Sequence, residues 1–175
     1  MTAPAPAIRP AVPADLDAVA GIYTHYVRHT VITFEEIPPP VTAWRGRLDD
    51  LAERGLPFLV AELSGDIVGY AYAAPWRPKP AYRHTVENSI YLAPDHTGHG
   101  LGAALLDALL AAVAGTDVRQ MIAVIADAGT DASIALHHRF GFTRAGRLTA
   151  VGYKHGRWID TVLMQRPLGP APAQG

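Results

Sequence analysis

A chain of 175 residues, 49% hydrophobic and 18% charged, is long enough to bury about two-thirds of its unfolded surface as one ordinary domain. Zero cysteines exclude disulfides, thiolate zinc sites and a cysteine acyl-enzyme, and fit a reducing compartment such as the cytoplasm. The formal charge of −1 comes with no Lys/Arg cluster, which argues against a nucleic-acid partner; no apolar run approaches the roughly twenty residues of a membrane span, and the first ten residues lack the pattern of a signal peptide.

The Ala/Pro-rich ends, residues 1–7 and 169–175, carry too little apolar bulk to pack and are expected as frayed tails around one folded unit, residues 8–168. Pro13 opens a segment whose Leu16, Val19, Ala20 and Tyr23 follow helical spacing. Thr42 is placed to cap a second helix carrying Trp44, Leu48 and Leu51, which Gly55 ends. Between them residues 31–40 hold Phe34, Glu35, Glu36 and three prolines, the composition of a shaped loop.

Residues 58–63 and 67–73 around a Ser-Gly-Asp turn read as a hairpin, followed by a strand over 86–92. The connector over residues 74–82 concentrates Trp76, Arg77, Lys79 and three prolines, which marks a rigid binding edge. After Gly98, Gly100 and Gly102 comes a Leu/Ala helix that is apolar almost all round and therefore central. Residues 121–125 form a buried strand, Ser133 is placed to cap a short helix to Phe140, and extended segments around Gly156 complete the chain. The order predicts an α+β fold: a mixed, largely antiparallel sheet flanked by helices, with one strand-glycine-helix-strand crossover.

The glycine turn is the most specific chemical signal. Alternate glycines let successive backbone N–H groups converge on an anion, and the following helix adds the positive end of its dipole. A nucleotide-triphosphate P-loop needs a Lys-Ser or Lys-Thr pair after the last glycine, where Ala103 and Ala104 stand. A dinucleotide fingerprint is permitted by Gly98, Gly100 and Ala103 with Asp127 beyond the next strand, but it belongs to repeated strand-helix-strand units, and only one is present. A tight connection with no ligand is the third reading.

The run His96-Thr97-Gly98-His99-Gly100-Leu101-Gly102 and the helix behind it resemble the acetyl-CoA loop of the Gcn5-related N-acetyltransferases. Further stretches resemble the branch of that family containing phosphinothricin and methionine sulfone or sulfoximine acetyltransferases. They are Ile8-Arg9-Pro10-Ala11, Ala73-Ala74-Pro75-Trp76, residues 81–87, Ser133-Ile134-Ala135-Leu136-His137 with Gly141-Phe142, and residues 152–160. The resemblance implies direct transfer of an acetyl group from acetyl-CoA to the α-amine of a small amino-acid-like acceptor, in a homodimer and without a metal. Other small amines, a peptide amino terminus, or a module that binds acetyl-CoA or a dinucleotide without turnover are the alternatives.

Within that resemblance Glu87, on the strand before the glycine turn, is the general base; a salt-bridged surface glutamate is the other reading of the same residue. His137 takes the place where many relatives carry a tyrosine that protonates the departing thiol, or else is a packed core group. Ile90 and Leu92 offer main chain to the pantetheine arm, and residues Gly98, His99, Gly100, Leu101, Gly102 and Ala103 hold the pyrophosphate, with Thr130 and Ser133 nearby. Thr97 and Thr130 replace longer family side chains, which implies weaker donor contacts rather than a lost site. Phe34 and Trp76 wall the acceptor pocket or else pack in the core, while Lys79, Tyr82 and Arg83 meet an acidic or oxygen-rich group on the acceptor. His25 and His29 have helical metal-pair spacing, but no third ligand is evident in the sequence.

Overall fold

The computed structural model describes residues 5–169, so the ends expected as tails fall mostly outside the described residues. A seven-stranded sheet runs in the order β1-β2-β3-β4-β5-β7-β6. Its strands are β1 (Ala7–Pro10), β2 (Phe58–Leu63), β3 (Asp66–Pro75), β4 (Thr85–Leu92), β5 (Gln120–Ala126), β6 (Thr143–Lys154) and β7 (Arg157–Pro167). Every neighbouring pair is antiparallel except β4 and β5, which the crossover makes parallel. The expected fold class is therefore the observed one.

Helices α1 (Leu16–His29) and α2 (Val41–Glu53) cover one face, and α3 (Leu101–Val113) and α4 (Ala132–Arg139) belong to the other. Strand alternation sorts the side chains between them. On β3, Tyr70 and Tyr72 join Trp44, Phe58 and Leu16 under α1 and α2, whereas Ala71 and Ala73 meet the leucines of α3. Small residues are required on that second face, since a Cβ on Gly69 would stand 2.9 Å from Leu92 Cδ2 and 3.2 Å from Leu105 Cδ1.

Three local expectations are corrected. Strand β1 was not foreseen: it is four residues long and ends in proline, and β2 alone pairs with it, as suits an edge. It is held by Arg9, which donates to both oxygens of the buried Asp15 at 2.8 and 2.9 Å and to Glu62 at 2.9 Å. Thr42 does not cap α2, which begins at Val41 after Pro40; the rigid φ of proline sets the entry. Ser133 likewise lies inside α4, whose N-cap is Asp131.

Candidate active site

Strands β4 and β5 pair only where Thr85, Val86 and Glu87 face Gln120, Met121 and Ile122. Beyond Glu87 both strands continue, β4 bonded to β3 as far as Leu92 and β5 bonded to β7 as far as Ala126, but not to each other. The sheet is thus wedged open from Asn88 onward. The main chain of Ile90 and Leu92 lies along this opening, as edge pairing to an extended ligand requires. The end of β4 is anchored from α1, where the Tyr26 hydroxyl donates to the Leu92 carbonyl at 2.6 Å.

At that end of β4 the chain enters the glycine turn. Gly98 and Gly100 both have φ of +79°, a left-handed conformation that side chains disfavour, and a Cβ at either position would meet nothing within 4 Å. The concavity is therefore open, and Gly100 stands at the N-cap of α3, where helix N–H groups are unpaired. Those features fit a pyrophosphate held by main chain. Gly102 has a different reason: it is helical, and a Cβ there would lie 3.5 Å from Leu136 Cδ2. Leu101 is buried in the core, Ala103 is half-buried, and His99 is exposed. Thr97 Oγ1 donates to the Pro94 carbonyl at 3.3 Å, closing the turn locally. Thr130 Oγ1 accepts from Ala132 N–H at 3.2 Å, and both Thr130 and Ser133 are exposed.

Glu87 is half-buried at the point where the strands part. Burial pushes its carboxyl above the ordinary glutamate range, and the nearby Arg77 guanidinium pulls it partly back. Ser89 and Tyr91 share its face of β4, toward α1 and α2. Burial, with Tyr23 and Tyr72 adding, raises the Tyr91 phenol; the Thr33 hydroxyl opposes the rise and Glu87 adds to it.

Asn88 and His137 lie on the opposite face. The His137 ring is buried edge-on against Phe142, with centroids 4.9 Å apart. Its Nδ1 faces the Ser133 carbonyl at 2.8 Å and must carry the proton, and its Nε2 lies 3.2 Å from Asn88 Oδ1. Burial holds the imidazole below its ordinary pKa and therefore neutral. A neutral ring protonated on Nδ1 offers Nε2 only as an acceptor, which assigns the Asn88 amide to the rotated orientation that presents its nitrogen in place of Oδ1.

The residues expected to meet the acceptor are only partly brought together. Phe34 is 39% exposed, and its ring lies directly on Gly152, where a Cβ would stand 2.4 Å from it. Trp76 is half-buried, with the Arg77 guanidinium 4.6 Å over its ring. Lys79, Tyr82 and Arg83 are exposed on the short 3₁₀ turn beyond, where Arg83 folds back on the Pro80 carbonyl at 3.2 Å. Arg77, not Lys79 or Arg83, is the cation that acts on Glu87. Sequence reasoning placed Arg77 in the connector without a role and missed Asn88; its only cues were a Trp-Arg pair and a polar residue in an apolar strand. The His25 and His29 rings lie tilted at 45° with centroids 5.2 Å apart, and no group of three possible metal ligands occurs among the described residues.

Residues 8–163 match the acetyltransferase (GNAT) domain. The chain belongs to this family and is an acetyltransferase. Among curated relatives, a phosphinothricin N-acetyltransferase of Alcaligenes faecalis is 52% identical over 88% of this chain and 78% of its own. An L-methionine sulfoximine/L-methionine sulfone acetyltransferase of Pseudomonas aeruginosa is 40% identical over 93% of this chain and 95% of its own. A crystal structure of a phosphinothricin acetyltransferase from Sinorhizobium meliloti in complex with AcCoA superposes with a TM-score of 0.91 at 44% identity, covering 97% of this chain and 92% of that one.

Proposed function

We propose that the protein moves an acetyl group from acetyl-CoA to the α-amine of a small amino-acid-like acceptor of the phosphinothricin, methionine sulfone or methionine sulfoximine type. The reading is supported by relatives bearing those names and by a wedge and open glycine turn suited to an extended donor with a pyrophosphate. When bound, acetyl-CoA supplies an acyl group already activated as a thioester. Gly98, Gly100 and the first turn of α3 hold the pyrophosphate, and the free edge of β4 orients the arm. The observation that carries the mechanism is Glu87, a half-buried carboxylate with a raised pKa at the parting of β4 and β5.

Glu87 takes the proton from the acceptor's ammonium, directly or through water, and the neutral amine attacks without a covalent enzyme intermediate. His137 is the proposed acid for the departing thiolate. It can serve only while Nε2 carries a proton, which burial opposes. The pair therefore demands a narrow bell: kcat/KM rises as Glu87 ionises above the ordinary glutamate value of 4.5 and falls as His137 deprotonates below 6.5. Activity flat from about pH 6.5 to 9 would remove His137 from the acid role. The protein is also taken to be a homodimer, because Tyr153 and Trp158 expose 58% and 68% of their surface on the last hairpin.

The decisive experiment mixes purified protein with acetyl-CoA and a panel of amines while free thiol is followed. Thiol release with phosphinothricin or methionine sulfoximine is expected. Glu87→Gln lowers kcat by about 10²–10⁴ and leaves acetyl-CoA affinity within about twofold. Release with no amine refutes the transfer, and equal losses of kcat and donor affinity remove Glu87 as base.

A further inference from the structure

Lys154, the last residue of β6, is a buried cation with no part in the chemistry above: it is 2% exposed. Its ammonium donates to the Thr33 carbonyl at 2.8 Å, across 121 residues of sequence. Burial lowers its pKa, while the charges of Glu36 and Glu35 support the ammonium form. An ammonium has three donors to place, and burying one with a single carbonyl partner is costly unless the contact does something.

What it holds is the segment that carries Phe34. Thr33 is itself buried, its hydroxyl is shared with the Tyr23 hydroxyl at 2.6 Å, and Glu35 N–H donates to that hydroxyl at 3.3 Å. The segment is thus pinned to α1 on one side and to β6 on the other. One strand pitch from Lys154, and on the same face, Gly152 lets the Phe34 ring lie against the main chain. The strand is bent there: the register shifts between Leu148 and Gly152, Ala150 has φ of +51°, and its N–H donates to Asp160 Oδ1 at 2.8 Å. Tyr23, which shares its hydroxyl with Thr33, packs edge-on against Tyr91 with ring centroids 5.1 Å apart, so the pinned segment lies on the same side of the sheet as Glu87.

We propose that Lys154 is a positioning residue that latches the segment over residues 31–37 to the last hairpin, seats Phe34 on Gly152, and so sets the affinity for the acceptor but not for the donor. This rests on the acyl-transfer reading above. The latch separates the two substrates physically: the donor meets β4, the glycine turn and α3, while Lys154 reaches only the acceptor-side loop.

Lys154→Met keeps length and apolar stem but removes the donors. It is expected to raise the acceptor KM tenfold or more, with acetyl-CoA KM within twofold, and to speed deuterium uptake over residues 31–37 but not over 98–102. Gly152→Ala expels the ring from its seat through a side chain that can swing outward; it gives the same acceptor-only rise, and the double variant is no worse than Lys154→Met. An acceptor KM within twofold of wild type, an equal rise for both substrates, or effects that multiply in the double variant would overturn the proposal. Should Lys154→Met not fold, Gly152→Ala alone decides by the same criterion. Should wild type acetylate none of the amines, the transfer reading fails, and unchanged deuterium uptake in Lys154→Met or, if that variant does not fold, in Gly152→Ala would then overturn the latch separately.

Discussion

His137 and Asn88 show how burial settles a protonation state. The single N–H of the neutral ring is committed to the Ser133 carbonyl, and the Asn88 amide covers the remaining lone pair. Because the folded pKa lies below the unfolded one, the neutral ring contributes stability that is present above the ordinary value of 6.5 and is lost as pH falls through the folded pKa. Glu87 has the opposite sign: its raised pKa contributes stability below 4.5 that is lost as pH rises through the folded pKa. Between about pH 7 and 5 the His137 effect makes the protein less stable on acidification, and His137→Gln should shrink that loss in urea titrations. Nitrogen NMR of the wild type at pH 7 should show a neutral ring protonated on Nδ1. An imidazolium signal would refute the assignment. None of this pairing was legible in the sequence, since 49 residues separate the partners and only the fold brings them together.

Elements were more legible than contacts, because they are written in local pattern. The hairpin turn, the apolar α3 and the crossover each follow from periodicity or turn chemistry, whereas β1 is too short and too proline-bound to show a period. The parting of β4 from β5 is the hardest feature to read. Both strands keep strand-like sequences throughout; what changes at Glu87 is only whether they bond to each other. The glycines next to that opening are separable by experiment. Gly100→Ala forces a side chain into a left-handed cap and should cost about 1–2 kcal/mol, with CoA affinity falling further when measured by calorimetric titration. Gly102→Ala places a Cβ at ordinary contact distance from Leu136 inside a helix, and should leave the melting temperature unchanged or raise it. Equal effects of the two substitutions would mean that the turn acts by packing rather than by conformation.

At the scale of the whole molecule the sheet keeps the proposed base and the proposed acid on different faces. The α1 and α2 face carries Glu87, Tyr91 and the pinned Thr33, and the other carries Asn88, His137 and α3, with the wedge between them. The last hairpin completes the first face through Gly152 and Lys154 while turning a different surface outward. There Tyr153 and Trp158 sit opposite each other across β6 and β7, their rings 4.9 Å apart, at the edge of the sheet. An exposed aromatic pair beside an unpaired edge strand is a costly arrangement for a monomer and a good one for a self-complementary contact. In sedimentation the wild type should run at twice the mass of a single chain, and Trp158→Glu, which buries a charge in such a contact, should run as a monomer. Because Trp158 points away from the core, the variant should keep its fold by circular dichroism. A wild type that sediments as a single chain at tens of micromolar would refute the dimer and leave the aromatic pair as an exposed feature of the edge.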